Sequence, residues 1–104
     1  MVKKGRATIV RIIAKSRLLE LAQAYGDCVG QVTDWYEVAR KEVWHNLVEV
    51  RQSFRHADSV GAYTVFNIKG NDYRLIVEMH YDKGIIYIKR LLTHAEYDRD
   101  KRKP

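Results

Sequence analysis

Residues 63–92 most constrain what this chain can fold into, because they repeat one simple unit. Residues 63–68, 73–80 and 85–92 are apolar or alternating runs rich in β-branched and aromatic residues. Gly70-Asn71-Asp72 and Asp82-Lys83-Gly84 separate them. Such runs read as strands and such separators as hairpin turns, since glycine and asparagine accept the positive φ that tight turns demand. In the second run Tyr73, Leu75, Val77 and Met79 share one face, while Arg74, Glu78 and His80 point away. The third run is almost continuously apolar, which predicts a central strand. A three-stranded antiparallel meander follows, and it needs a cover for its apolar face.

The first half of the chain supplies that cover. Residues 7–13 are β-branched and read as a short first strand. Residues 14–25 switch to helical spacing, with Leu18, Ala22 and Tyr25 on one face and Gly26-Asp27 as the stop. A second helix is expected over 29–44, where Val32, Trp35, Tyr36, Ala39 and Val43 form the apolar stripe. Its polar face carries Gln31, Asp34, Glu37, Arg40 and Lys41. That stripe reads as core, not as a base-stacking platform. Residues 45–57 form either a short helix or an irregular connection closing the core with Leu47, Val50 and Phe54, and 59–61 read as a turn. The predicted fold is α+β and compact. An N-terminal strand and two helices pack on a mainly antiparallel sheet, with a short C-terminal helix and a frayed tail over 99–104. At 104 residues a single domain spanning 1–104 is expected.

Charge and cysteine content narrow the function. There are 19 Lys and Arg against 13 Asp and Glu, a net charge of +6. That excess favours polyanionic partners over neutral ones. Cys28 stands alone, so no intrachain disulfide is possible and a reducing, cytoplasmic setting is expected. Lys3, Lys4 and Arg6 imitate the charged start of a secretion signal, but Arg11 interrupts the apolar run behind them. No stretch approaches membrane-spanning length. The four histidines have no ligand spacing, so neither a metal nor a cofactor is expected. Cys28 near a helix start is a place where a thiol pKa can fall, although an inert small residue is the plainer role.

The chemistry-bearing residues cluster at the end. Arg74 lies on the polar face of a strand just after a turn, where a forked guanidinium can clamp phosphate or pair with Glu78. Lys69 sits at the other end of that turn, so the hairpin is expected to bring the two cations together. Asn71 is explained first by the turn, and second as an RNA contact. Thr93-His94-Ala95-Glu96 has the form of a capping box, which assigns Glu96 to the helix start and not to a general base. His94 and Tyr97 then become i, i+3 neighbours, an imidazole able to titrate near neutrality beside a phenol. Capping or burial is the structural alternative for His94, and core packing for Tyr97. RNA cleavage by its own 2′-hydroxyl asks for a base, positive charge on the phosphorane and an acid, and no metal.

Phe66-Asn67-Ile68-Lys69-Gly70-Asn71-Asp72-Tyr73-Arg74-Leu75, followed by Thr93-His94-Ala95-Glu96-Tyr97-Asp98, resembles the HigB toxins of bacterial toxin–antitoxin modules. These belong to the wider RelE-like group. Residues 51–58 resemble the segment before the third strand of such toxins. The resemblance is close over the C-terminal half and one of pattern over the helices. It implies a RelE-like fold and an mRNA interferase acting in the ribosomal decoding site. It also implies a helix-turn-helix, HigA-like antitoxin through which alone operator DNA is reached. By position, Arg74 matches a phosphate-binding arginine and Tyr97 a tyrosine near the C-terminus. Lys69 matches a basic position of some relatives. His94 stands where RelE carries arginine, offering a titrating group in place of fixed charge. The resulting assignment is Arg74 with Lys69 on the phosphate, His94 as acid or base, and Tyr97 as its orienting or proton-transfer partner. Arg55, Asn71, Lys89 and Arg90, with Lys3, Lys4 and the 99–103 tail, are the expected contacts to RNA phosphates. A basic module that binds RNA or the ribosome without cutting is the rival reading. A DNA-binding domain is the third, with no basic recognition helix to support it.

Overall fold

The computed structural model describes residues 11–101. Its elements run β1 (Arg11–Ile13), α1 (Lys15–Tyr25), α2 (Val29–Ala39), α3 (Leu47–Ser53), β2 (Asp58–Val60), β3 (Tyr63–Ile68), β4 (Tyr73–His80), β5 (Ile85–Thr93) and α4 (His94–Lys101). The five strands form one sheet in the order β1-β5-β4-β3-β2. β1 runs parallel to β5, and the other three pairings are antiparallel. This is the expected α+β arrangement, with a mixed sheet.

The core lies between the sheet and the first three helices. Leu18 and Ala22 of α1, Val32, Trp35 and Ala39 of α2 and Val50 of α3 are buried there. They join Phe66, Ile68, Tyr73, Leu75, Val77, Ile86, Ile88 and Leu91 from β3, β4 and β5. Phe66 is its hub. Trp35 and Phe54 meet its ring edge-on at 5.3 Å each, and Trp44 stacks on it at 6.3 Å. Edge-to-face aromatic pairs contribute about 0.5–1.5 kcal/mol beyond their buried area. The indole N–H groups of Trp35 and Trp44 are buried without a partner, a cost of about 1–3 kcal/mol each set against that packing.

Several sequence expectations shift here. The first strand is seen as Arg11–Ile13, and residues 7–10 lie outside the described part. The second helix stops at Ala39, not at residue 44, because Lys41 and Glu42 N–H both turn back to Val38 O. Leaving the helix lets Trp44 swing onto Phe54 and Phe66, which a continued α2 would prevent. The uncertain 45–57 stretch contains α3, started by a reciprocal cap: Asn46 Oδ1 accepts from Glu49 N–H at 3.0 Å, and Glu49 Oε1 accepts from His45 N–H at 2.7 Å. Asn46-Leu47-Val48-Glu49 is the readable signal for it. Of the turn expected over 59–61, residues 59 and 60 belong instead to the edge strand β2, and only Gly61 lies in the turn. Arg51 Nε donates to Ala57 O at 2.8 Å and ties α3 to that edge. β5 is interior, but the middle strand is β4. The C-terminal helix continues through Lys101, so residues 99–101 are helical where a frayed tail was expected, and residues 102–104 lie outside the described part.

A β-bulge decides which side chains reach the open face of the sheet. Ile76 pairs with Arg90 and Val77 with Ile88, which leaves Lys89 as an extra residue in β5. The inner-facing series therefore runs Ile86, Ile88, then Leu91, with parity broken at the bulge. Lys89 and Arg90 are consecutive, yet both are exposed.

Candidate functional site

Alternation along the strands places Arg74, Ile76, Glu78 and His80 of β4 on the outer face, away from the core helices. Arg74 pairs with Asn67 on β3 and Leu92 on β5. Its guanidinium is held by the turn it follows: Nη2 donates to Asn71 Oδ1 at 2.8 Å, and Nη1 to Asn71 O and Tyr73 O at 3.2 Å. The predicted ion pair with Glu78 does not form. Glu78 instead accepts from His80 Nε2 at 2.7 Å and faces Lys89 Nζ at 3.5 Å. The guanidinium carbon sits 5.8 Å from the centre of the Tyr97 ring.

The short helix α4 brings Tyr97 to that place. Thr93 Oγ1 accepts from Glu96 N–H at 3.1 Å, and Glu96 Oε1 accepts from Thr93 N–H at 2.9 Å, which is the capping box read in the sequence. Glu96 Oε1 also lies 2.9 Å from the Tyr25 hydroxyl, whose other acceptor is Leu91 O. The Thr93 N–H, then the Tyr25 hydroxyl, hold the Glu96 carboxyl below the usual range. Burial, then this bond to Glu96, push Tyr25 up to about 12. Glu96 is thus a structural anchor joining α4 to α1. His94 N–H donates to Asp72 O at 2.8 Å, so the same helix is tied to the hairpin carrying Arg74. His94 Nε2 lies 3.5 Å from Asp98 Oδ2, one turn along. Asp98 stands in the C-terminal motif with no role read from the sequence, although the His-x-x-x-Asp spacing on a helix was there to see. Asn67, beside Arg74 on β3, was missed because only strand register places it there.

Lys69 does not converge with Arg74 as the hairpin argument expected. Its ammonium pairs with Asp27 Oδ2 at 2.8 Å, with Asp72 Oδ2 at 4.0 Å. Asp27 also accepts a hydrogen bond from Tyr73, an inner-face residue. The physical reason is the turn itself. Lys69 and Gly70 take the positive φ values, 52° and 63°, and Asn71 does not. That twist sends Lys69 toward the α1–α2 corner and Arg74 to the opposite face. The Lys69 ammonium, then the Tyr73 hydroxyl, hold the Asp27 carboxyl below its ordinary range, and Asp27 in turn pushes Tyr73 up to about 12.

Cys28 is fully buried at the start of α2, and burial raises its thiol pKa, opposite to the activation considered for a helix start. Lys89 and Arg90 share the outer face with Arg74, and Arg90 lies diagonal to it across the β4–β5 pairing. Arg55 is exposed in the turn before β2, at the sheet edge away from β5. Lys3, Lys4 and residues 102–103 lie outside the described part. Among the described residues no cluster of three or more His, Cys, Asp or Glu side chains could hold a metal. Among those residues no helix is long and apolar enough to cross a membrane.

The structure thus gathers Arg74, Asn71, Tyr97, His94 and Asp98 where the β3–β4 hairpin meets α4, and leaves Lys69 behind the hairpin. Residues 28–100 match a family model described as HigB toxin, RelE-like toxic component of a toxin–antitoxin system. The chain is also similar to the mRNA interferase HigB of Escherichia coli O6:H1 strain CFT073. The two are 25% identical over 93 residues, 86% of this chain and 90% of the relative.

Proposed function

This chain belongs to the HigB toxin family, the RelE-like toxic components of toxin–antitoxin systems, and we propose that it is a ribosome-dependent endoribonuclease. It cuts translated mRNA in the cytoplasm through attack of the 2′-hydroxyl on the adjacent phosphate. The name of its similar relative, an mRNA interferase, supports that activity. The observation that carries it here is the docked Arg74 guanidinium over Tyr97, beside the His94–Asp98 pair.

In this reading Arg74, aimed by Asn71, binds the phosphate and neutralises charge that builds on the phosphorane. One such preorganised donor is worth roughly 10² to 10³ in rate. His94, held by Asp98, moves one proton, a contribution of roughly 10² to 10⁴. Tyr97 orients or completes the transfer at the 5′-oxygen. The 2′-oxygen forms its bond to phosphorus as the 5′-oxygen leaves, giving a 2′,3′-cyclic phosphate and a 5′-hydroxyl. Lys69 takes a supporting role, fastening the hairpin through Asp27. The ribosome supplies the alignment, which converts a weak catalyst into an effective one by proximity. A family of this kind has an antitoxin partner. We take it to be a HigA-like helix-turn-helix protein that carries the complex to operator DNA.

Induced expression tests the reading. The wild type is expected to arrest growth, and purified protein to cut ribosome-bound mRNA but not the same mRNA free of ribosomes. A 2′-deoxy nucleotide before the cut phosphate is expected to abolish cleavage. A folded, harmless wild type that leaves ribosome-bound mRNA intact refutes it and favours a module that only binds.

A further inference from the structure

The outer face of the sheet has a second cluster that the proposed chemistry does not use. Glu78 and Tyr87 are register partners on β4 and β5. His80 meets the Tyr87 ring edge-on at 5.0 Å and 76°, and Lys89 Nζ lies 5.7 Å from the ring centre. Glu78 links the two side chains, through His80 Nε2 at 2.7 Å and Lys89 Nζ at 3.5 Å. The side chains of His80 and Lys89 are 33% and 41% exposed. The cluster is therefore ordered yet reachable by solvent.

Its setting matters as much as its contacts. Glu78 lies four residues along β4 from Arg74, about 13 Å at strand spacing. Ile76 and Arg90 lie between them on the same face. At the far end Arg11 of β1 pairs with Ile85, itself the partner of His80. Glu78 is the one acidic side chain among the outward residues of β1, β4 and β5, and it is already engaged. Each end of this basic track thus presents a tyrosine with a cation near its ring: Tyr97 with Arg74, and Tyr87 with Lys89. A basic groove with aromatic platforms at intervals is how single-stranded nucleic acid is held without sequence reading.

We infer that Tyr87, Lys89 and His80 form a second nucleotide subsite, where a base of the transcript stacks on Tyr87 a few nucleotides from the phosphate held at Arg74. The inference rests on the nuclease reading and extends it from one phosphate to a track of RNA. Lys89 binds the backbone phosphate of the stacked nucleotide, and Glu78 is a positioning residue that aims Lys89 and His80. Alternation from Tyr87 sets Lys89 outward, and the bulge adds Arg90 to the same face, which continues the track toward Arg74.

Ribosome complexes programmed with transcripts truncated stepwise on either side of the cut test this directly. With long transcripts, Tyr87→Leu is expected to raise the half-saturating toxin concentration about tenfold, within the range for losing one stacked base, with the maximal cleavage rate kept. With transcripts too short to reach the cluster, Tyr87→Leu and wild type should coincide. Tyr87→Phe, which keeps the ring, should restore long-transcript behaviour, and the melting temperatures of all three should agree. Wild-type cleavage with no length-dependent loss in Tyr87→Leu overturns the subsite and leaves the nuclease reading standing. Loss of antitoxin affinity in Tyr87→Leu, with RNA behaviour unchanged, overturns it in favour of a protein dock. No cleavage by the wild type overturns both.

Discussion

The two faces of this sheet are built from the same strands and obey opposite demands. On β4, Leu75 and Val77 are fully buried against the helices. Their neighbours Arg74, Ile76 and Glu78 are only partly covered. The inner face is a packing problem whose solution is apolar and aromatic, with Phe66 as its hub. The outer face is an electrostatic one, where polar groups hold one another: Arg74 by Asn71 and His80 by Glu78, with His94 by Asp98 on α4 beside it. Stability and function are therefore interleaved at every second residue, and a one-step move along β4 changes which of them a mutation strikes.

Substitutions at adjacent positions break or sharpen that contrast. Leu75→Ala is expected to destabilise the fold by about 2–5 kcal/mol, the range for emptying a buried leucine site. A lowered urea midpoint checks it. Arg74→Ala should leave that midpoint nearly unchanged and cut cleavage of ribosome-bound mRNA roughly 10²- to 10³-fold. If Arg74→Ala unfolded the protein, or Leu75→Ala spared it, the division between the faces would be wrong.

A smaller effect is expected where the faces are joined. Glu96→Ala removes the reciprocal cap and the Tyr25 bond, and should cost about 1–2 kcal/mol of stability by the usual range for a lost helix cap. Activity should fall only as far as α4 loosens. A loss as deep as that of Arg74→Ala would restore Glu96 to the chemistry.

The smallest effect is a pH response at the alkaline end. Tyr25 and Tyr73 are each raised from 10.0 to about 12, so the folded state keeps their protons where the unfolded chain loses them. The stability they contribute is complete below pH 10 and is lost as pH climbs toward 12. Burial raises Tyr81 as well, so tyrosinate absorbance should show one fewer late-titrating group in Tyr25→Phe than in the wild type. Titration of both near 10 in the folded protein would deny the bonds from the two hydroxyls to Glu96 and Asp27.

Much of the fold was legible because its signals are local. The three long strands, the turns between them, the α1 stop at Gly26 and the Thr93–Glu96 capping box all depend on residues within a few positions of each other. The missing cap at Asn46 was legible too, but hidden by the ambiguity of a short apolar run. The end of α2 was not, since Trp44 leaves helical spacing to reach Phe54 and Phe66, and that pull is tertiary. The candidate site divides the same way. Arg74, His94 and Tyr97 stood out as residue types beside turn and cap signals. Lys69 misled, because its partner Asp27 is 42 residues away.

The sequence by itself determined the alternation of the strands, the positive-φ turns and the cap that starts α4, since backbone sterics and i, i+3 hydrogen bonds act over a few residues. Tertiary structure alone decided that β1 joins parallel to β5 and that Asp27 draws Lys69 behind the hairpin. It alone decided that Asn67 stands beside Arg74, and that a bulge sets Lys89 and Arg90 on one face. Register, bulges and distant ion pairs follow from how the whole apolar surface is buried, and no short window of residues contains that balance.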